Sequence, residues 1–222
     1  EKAFKAAEKR GLAKFFAITK TDSDHRSFYK TFEALKEVYG NKLCPTIIPY
    51  MEGNITKSYV NLMTGMAYEY DADGKATKVP MPNDPVIEEM TSAFMEAVAT
   101  TDDELMEKFF EGETFTPDEI LKGLCTGIFD GSIYPVYAVA GLTCAGIDQL
   151  LYNLAWSVPG AYGYAGETAK NEAGEDVVLP CDINGPLAAV CFKTVADPFV
   201  GKMSFFKVVS GKLSADTQAY NV

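Results

Sequence analysis

The stretch FFAITKTDSD, residues 15–24, decides how the first part of this chain folds. An apolar run ends at Lys20, and a segment with the spacing of a helix begins a few residues later. A buried strand that leads into a helix is the building unit of α/β proteins. Ligands of open α/β sheets bind outside the carboxyl ends of the strands. The stretch therefore predicts an α/β fold in which the loop after this strand lies where such folds bind ligands.

The tetrapeptide TKTD, residues 19–22, has two interpretations. In the first, Asp22, Ser23 or Asp24 caps the following helix, because short polar side chains accept hydrogen bonds from its first N–H groups. In the second, Asp22 binds the edge of a nucleotide base. A carboxylate accepts two N–H donors side by side, and guanine offers such a pair whereas adenine does not. The stem of Lys20 can then lie along the face of the base. A Lys-x-Asp triplet is too short to decide between the two.

The rest of the chain up to residue 159 mixes predicted helices and strands. Helices are predicted for residues 2–11, 22–40, 85–101, 101–112, 116–129 and 145–159, and strands for residues 13–20, 43–50, 59–81 and 134–141. Asp73-Gly74 predicts the turn of a hairpin. Thr101 and Thr116 are expected to cap helices, because each is followed three residues later by Glu.

The pattern changes in the last part of the chain. Residues 161–180 are rich in Gly, Ala and acidic residues with little periodicity, which predicts a linker or long loop. From Leu187 onward the pattern becomes strand, turn, strand, and no helix is indicated. We expect about three strands there, too few to close a barrel.

Composition excludes several classes of protein. The net charge of −11 argues against a broad basic face that wraps nucleic acid, and no apolar run reaches the length of a membrane span. The five cysteines form no C-x-x-C pair, so neither a zinc site nor a disulfide framework is expected. Unpaired cysteines fit a reducing compartment, so we expect a cytoplasmic location. The five cysteines are Cys44, Cys125, Cys144, Cys181 and Cys191. The chain opens without Met inside a helical pattern, which predicts an internal piece of a longer protein.

No motif predicts a catalytic or metal site in this chain. Glu69, Asp71, Asp73 and Gly74 imitate the start of a calcium loop, but the last ligand position holds Pro80 and the flanks look like strands, so a hairpin turn is favoured. The G-x-x-x-x-G-K-[ST] phosphate loop is absent. The single histidine, His25, has no Ser or Cys partner in its surroundings, and a solvated surface position is favoured.

Four segments follow TKTD in a recognisable order: the strands at residues 50–63, the helical block at 86–124, YPVYAVAGLTCAGIDQLLYNLAWSVP at 134–159, and DPFVGKMSFFKVVSGKL at 197–213. This order of segments resembles translation elongation factor G, and TKTD corresponds to that family's base-specificity motif, usually written NKxD. The last of the four segments is the most specific and looks like the opening of the family's β-barrel second domain. The resemblance covers nearly the whole chain.

The resemblance implies an α/β fold of stated organisation. Residues 1–159 would be the C-terminal part of a P-loop GTPase domain, with an α+β insert at about 44–133. Residues 160–183 would be a linker, and 184–222 the first strands of a β-barrel domain. The guanine base would be bound by the following residues: Thr19, Lys20, Asp22, Ala140, Gly141 and Leu142.

The implied function is that of a ribosome-dependent, GTP-binding translation factor that promotes translocation. GTP or GDP would be bound by the full-length parent, with magnesium held by the part that precedes this chain. No cofactor and no GTPase activity are expected in the fragment alone, because the phosphate loop and both switch regions would lie outside it. The partners would be the ribosome and guanine nucleotide, with no membrane and no sequence-specific nucleic-acid binding.

This sequence departs from the family at both base-contacting loops. The motif's Asn is Thr19 here, and the family's Ser-Ala in the second loop is Ala140-Gly141. Gly141 keeps the backbone N–H that makes the key contact. These changes leave open an alternative: a divergent ribosome-binding paralogue, a protection or regulatory factor, with weakened guanine specificity. A free-standing acidic hydrolase has no nucleophile, base or metal set in the sequence.

Overall fold

The computed structural model describes residues 2–23, 27–158, 160, 166–171 and 173–219. The chain divides into two compact units, Glu1–Val158 and Pro159–Val222. The first contains α1 (Lys2–Lys9), β1 (Phe16–Ile18), α2 (Phe28–Tyr39), β2 (Leu43–Glu52), β3 (Ile55–Asn61), β4 (Met66–Tyr70), β5 (Ala76–Val79), α3 (Pro85–Ala99), α4 (Asp103–Glu111), α5 (Pro117–Asp130), β6 (Tyr134–Ala138) and α6 (Ile147–Ser157). The second contains β7 (Glu167–Lys170), β8 (Asp176–Leu179), β9 (Ala188–Asp197) and β10 (Gly201–Ser210).

The first unit is an α/β structure built on a six-stranded sheet in the order β1-β6-β2-β3-β4-β5. β1, β6 and β2 are parallel, whereas β2, β3, β4 and β5 form an antiparallel meander. The parallel half therefore brings the carboxyl ends of β1 and β6 to the same edge. The mixed α/β fold predicted from the sequence is confirmed.

β2 joins the two halves of the sheet, although it contains two prolines. It pairs with β6 over Leu43–Ile47 and with β3 over Ile47–Glu52. Pro45 and Pro49 thus lie in halves of the strand that have one paired neighbour each. Because proline cannot donate a backbone hydrogen bond, it is tolerated where one side of the strand is unpaired. The short strand expected at 43–50 is accordingly a strand of ten residues.

The core of the first unit lies between this sheet and its helices. α3 packs against β2 and also contacts α4 and α5, and α5 contacts α6. The largest apolar side chains that are fully buried are Tyr137, Phe94, Ile47, Ile48, Leu124 and Ile133. None of the helices among the described residues is long and apolar enough to cross a membrane.

β1 differs from the buried strand expected at residues 13–20. It has three residues, Phe16–Ile18, and the middle one is exposed. The physical reason is its position at the edge of the sheet, where β6 is its paired neighbour among the described strands. Full burial of this strand was therefore a wrong expectation.

Two of the expected helix caps are wrong, and one is confirmed. α2 is capped by Ser27, whose hydroxyl accepts from the N–H of Lys30, so neither Asp22 nor Ser23 caps it. α4 is capped by Asp102 instead of Thr101, because the Thr101 hydroxyl already donates to a carbonyl of α3.

Thr116 caps α5 as expected, in a capping box with Glu119. The hairpin turn at Asp73-Gly74 is also confirmed, and Asp71 accepts two backbone N–H bonds within it. Three residues considered from the sequence lie outside the described residues: Asp24, His25 and Pro159.

The second unit consists of two antiparallel hairpins. β7 pairs with β8 inside the stretch expected to be a linker or long loop, so that expectation is wrong for these residues. β9 and β10 form a longer hairpin, and two strands are described where about three were expected. Several of its large apolar side chains are exposed, namely Val190, Phe192, Phe199, Phe205 and Phe206. A two-stranded ladder of this kind has too little apolar surface of its own to bury them.

Candidate functional site

Two loops meet where the neighbouring parallel strands β1 and β6 end. The first loop is residues 19–23, and the second is residues 139–146. The N–H of Val139 donates to the carbonyl of Ile18 at 3.0 Å, and the N–H of Thr21 donates to the carbonyl of Val139 at 3.4 Å. The strand pairing thus continues into the loops and holds their backbones together.

Thr21 anchors the first loop from inside the protein. Its side chain and backbone are 3% exposed, although its neighbours are exposed. The hydroxyls of Thr21 and Tyr59 share a hydrogen bond of 2.9 Å, and the Thr56 hydroxyl donates to the Thr21 carbonyl at 2.6 Å. Together with the bond to Val139, the N–H, the carbonyl and the hydroxyl of Thr21 are all paired.

An irregularity in β3 lets two of its residues contact Thr21. The register between β2 and β3 shifts where Tyr50 faces Ser58 and Met51 faces Thr56, so Lys57 has no partner across the ladder. Such a bulge turns the residues beyond it to the other face of the sheet. Thr56 and Tyr59, which a regular strand would direct to opposite faces, therefore both bond to Thr21.

The residues expected to read a base project from this anchor. Thr19, Lys20 and Asp22 are exposed. Lys20 has a φ of 62°, which a non-glycine residue adopts rarely and at a cost of about 1 kcal/mol or more. The N–H of Ser23 donates to the Lys20 carbonyl at 3.2 Å and closes the turn. The hydroxyl of Thr19 makes no hydrogen bond with the described residues.

The second loop approaches the first through a hydroxyl. Thr143 Oγ1 donates to Asp22 Oδ2 at 2.9 Å. Ala140 is buried and its N–H donates to the Ala145 carbonyl at 2.9 Å, whereas Gly141 and Leu142 are exposed between them. The N–H of Gly141 donates to no acceptor among the described residues. The two loops therefore present a carboxylate held by one hydrogen bond and a backbone N–H that is unpaired within the described residues.

Two glycines allow other elements to pack closely on the second loop. Gly146 has a φ of 77°, and a Cβ there would lie 2.8 Å from the Ala138 carbonyl and 3.2 Å from Tyr59. Gly74 has a φ of 75°, and a Cβ there would lie 2.8 Å from the Thr143 carbonyl. The tip of the β4–β5 hairpin thus packs against the second loop, at the residue whose hydroxyl bonds to Asp22.

A polar network fixes α6 to the antiparallel strands. The Tyr70 hydroxyl donates to Asp148, and Gln149 donates to the other oxygen of that carboxylate at 2.9 Å. The amide of Asn61 donates to Gln149 at 3.1 Å and to Asn153 at 2.9 Å, and Asn153 donates back at 3.3 Å. The two asparagines are fully buried, so each satisfies polar atoms that water cannot reach.

The electrostatics keep the tyrosines of the site neutral. Burial raises the pKa of Tyr59, the hydrogen bond to Thr21 opposes that rise, and the charge of Asp22 adds to it. Burial and the bond to Asp148 raise the pKa of Tyr70. Both hydroxyls are therefore protonated at neutral pH and are available as donors.

The arrangement suits binding better than covalent chemistry. Asp22 is an acceptor whose second oxygen bonds to none of the described residues, Gly141 offers a backbone N–H, and Lys20 lies two positions before Asp22 in the same exposed loop. Among the described residues, no group of three or more His, Cys, Asp or Glu side chains is arranged to hold a metal ion. Cys144 lies exposed in the second loop.

The sequence pointed to the two loops but missed what holds them. Thr21, Tyr59 and Thr143 were not singled out, and Tyr59 is separated from Thr21 by 38 residues. Thr143 is a hydroxyl residue three positions after Ala140, and this short spacing was the signal that the sequence offered for it.

Comparison with known proteins adds one solved relative of note. No protein-family model matches the chain. A crystal structure of a protein from Thermus thermophilus aligns over 96% of this chain with a TM-score of 0.76 and 26% sequence identity. This chain spans 29% of the length of that protein. In all, 83 solved chains are similar to this one.

Proposed function

We propose that this chain is part of an elongation-factor-G-like translation factor that binds guanine nucleotide and works on the ribosome. In this proposal the first unit is the later part of a P-loop GTPase domain with an α+β insert. The second unit provides the first strands of a β-barrel domain. The guanine base is read by Thr19, Lys20 and Asp22 of the first loop and by residues 140–142 of the second.

The observation that carries the proposal is the hydrogen bond between Asp22 and Thr143. It joins the loop that contains Lys20 and Asp22 to the loop that contains Gly141, whose N–H has no acceptor among the described residues. A guanine base needs an acceptor for its N1–H and amino group and a donor for its O6. The carboxylate of Asp22 offers the first and Gly141 the second, at the sheet edge where α/β folds bind ligands.

One further observation supports the proposal. The β9–β10 hairpin leaves apolar side chains exposed, as expected of strands that belong to a larger β domain.

A second candidate is a ribosome-binding paralogue with weakened guanine specificity. Thr19 favours it, because its exposed hydroxyl makes no hydrogen bond with the part of the chain that the structure describes. Guanine-nucleotide affinity and ribosome-stimulated hydrolysis, measured on the full-length protein that carries this chain, separate the two candidates. A GTPase on ribosomes supports the first, and ribosome binding without hydrolysis supports the second.

Base reading by Asp22 is tested by exchanging its acceptor for a donor. Asp22→Asn should weaken GDP binding and favour xanthosine diphosphate, which has a carbonyl where guanine has its amino group. Asp118→Asn, an exposed position on α5, is the matched control and should leave both affinities unchanged. An unchanged GDP affinity in Asp22→Asn contradicts the assignment of Asp22.

The 222-residue chain alone should bind no nucleotide that calorimetry detects. It contains no G-x-x-x-x-G-K-[ST] loop, and the phosphates contribute much of the affinity of such ligands. Micromolar binding of GDP to this chain would refute the assignment of phosphate binding to another part of the protein.

A further inference from the structure

We propose that Tyr59, on β3, is a positioning residue that sets the guanine specificity of the loop carrying Lys20 and Asp22. This inference rests on the proposed function and extends it. It gives the antiparallel half of the sheet a part in base reading, which neither the sequence nor the comparison assigns.

The first step is the position of Thr21 between the two residues expected to touch the base. Lys20 and Asp22 are exposed and Thr21 is buried, so Thr21 is the fixed point of the loop. Consecutive Cα atoms are separated by a constant ~3.8 Å, and a shift of Thr21 therefore moves both neighbours. A binding constellation holds its geometry only within ~0.5 Å, so a small shift is enough to spoil it.

The second step is the source of the restraint on Thr21. Its backbone bonds go to Val139 and Thr56, and its side chain bonds to the Tyr59 hydroxyl at 2.9 Å. The Thr21 and Tyr59 side chains are both buried at 3% exposure, so water cannot easily replace either partner. A buried hydroxyl that loses its partner is costly, which favours movement of the loop towards solvent.

The third step separates the hydroxyl of Tyr59 from its ring. The ring packs edge-to-face against Tyr70, with 5.5 Å between the ring centroids, and lies close to Gly146. Phenylalanine at position 59 keeps these contacts and removes the hydroxyl alone. Tyr59→Phe should therefore fold normally, which makes its effect on base recognition interpretable.

The test compares GDP with inosine diphosphate in the full-length protein. Hypoxanthine lacks the amino group of guanine, so the ratio of the two affinities reports how well Asp22 accepts both donors. Tyr59→Phe should lower this ratio by about threefold to tenfold, the loss expected for one displaced hydrogen bond. A general weakening of the fold would reduce both affinities equally and leave the ratio unchanged.

Tyr68→Phe is the matched control. Tyr68 lies opposite Tyr59 in the ladder between β3 and β4, and its hydroxyl bonds to none of the described residues. The ratio of GDP to inosine diphosphate affinity in Tyr68→Phe should equal that of the unchanged protein. Thr21→Val removes the other hydroxyl of the pair, and the double variant with Tyr59→Phe should show no larger effect than either single change.

The outcomes distinguish the two proposals. A lowered ratio in Tyr59→Phe with an unchanged ratio in Tyr68→Phe supports the role of Tyr59. If the unchanged protein prefers GDP to inosine diphosphate and Tyr59→Phe retains that preference, the inference is overturned and the proposed function stands. If the unchanged protein shows no preference for GDP over inosine and adenosine diphosphates, guanine reading fails and the role of Tyr59 fails with it.

Discussion

Thr143 donates a hydrogen bond of 2.9 Å to Asp22 across a separation of 121 residues, and so closes the candidate site. Thr143→Val keeps the shape of the side chain and removes the donor. In the full-length protein, we expect GDP affinity to fall about fivefold, the equivalent of about 1 kcal/mol, because the carboxylate loses its orientation. Isothermal titration calorimetry measures this directly.

Thr77→Val is the control for the change at Thr143. Thr77 is exposed on β5 and its hydroxyl bonds to none of the described residues. Its replacement should leave GDP affinity as it was. Equal affinities in the two variants would remove Thr143 from the account of the site.

The buried pair of Asn61 and Asn153 should contribute strongly to stability. Asn153→Leu leaves the side-chain oxygen of Asn61 without its donor, and we expect a loss of about 2 kcal/mol in the free energy of unfolding. The double variant with Asn61→Leu should lose less than the sum of the single changes, because no buried amide is then left unpaired. Urea unfolding followed by the fluorescence of Trp156 reports on this unit. Additive losses would contradict the coupling.

Gly146 should tolerate a side chain less well than Gly65. Both have positive φ, 77° and 65°, but a Cβ at Gly65 meets nothing within 4 Å. Gly65→Ala should cost about 1 kcal/mol from backbone strain. Gly146→Ala should cost about 3 kcal/mol, because its Cβ also meets the Ala138 carbonyl. Equal unfolding midpoints for the two variants would show that the close approach has no energetic weight.

The cysteines should differ widely in reactivity. Burial raises the pKa of the Cys44 thiol to about 12, against a small opposing effect of Thr46. At pH 8 only about one such thiol in ten thousand is ionised, so alkylation of Cys44 should require unfolding. Cys144 and Cys191 are exposed and should react in the folded protein. In the full-length protein, GDP should slow the labelling of Cys144 and leave the labelling of Cys191 unchanged. Mass spectrometry of the labelled peptides measures the labelling rate of each cysteine.

Glu119 should make the first unit sensitive to acid. The Lys108 ammonium and the Thr116 N–H lower the pKa of Glu119 to about 2 in the folded chain. A folded pKa below the unfolded one means that the stabilisation is present above about pH 4.5 and is lost as the pH falls towards 2. Glu119→Gln should lower the urea midpoint at pH 7. Between pH 7 and pH 3 the midpoint of this variant should fall less than that of the unchanged chain. Glu107→Gln, at an exposed position of α4, is the control.

The sequence predicted most elements of the first unit because their signals are local. The capping box of Thr116 and Glu119 and the Asp73-Gly74 turn depend on residues a few positions apart. The α2 cap was misjudged because Asp22, Ser23 and Ser27 are equally good caps by residue type, and residue type alone does not show that the helix begins at Phe28. The β7–β8 hairpin was missed because its strands of four residues show little periodicity.

The candidate site was predicted only as far as its chemistry is written in consecutive residues. Lys20, Asp22 and Gly141 could be proposed from their motifs. The contacts of Thr21 with Tyr59 and of Asp22 with Thr143 depend on the path of the chain through a sheet with parallel and antiparallel halves. No pattern in one sequence specifies such long-range pairs.

The prolines of β2 also disfavour alternative pairings of this strand with its neighbours. If β2 slid by one residue against β6 or β3, Pro45 or Pro49 would turn its missing N–H towards a paired neighbour. A sheet in the wrong register would thus lack one ladder hydrogen bond, whereas in the native register both prolines lie where no donor is required. β2 lies between β6, the strand before Thr143, and β3, the strand that bears Tyr59. The register of β2 therefore determines whether Tyr59 lies opposite Thr21 in the folded protein.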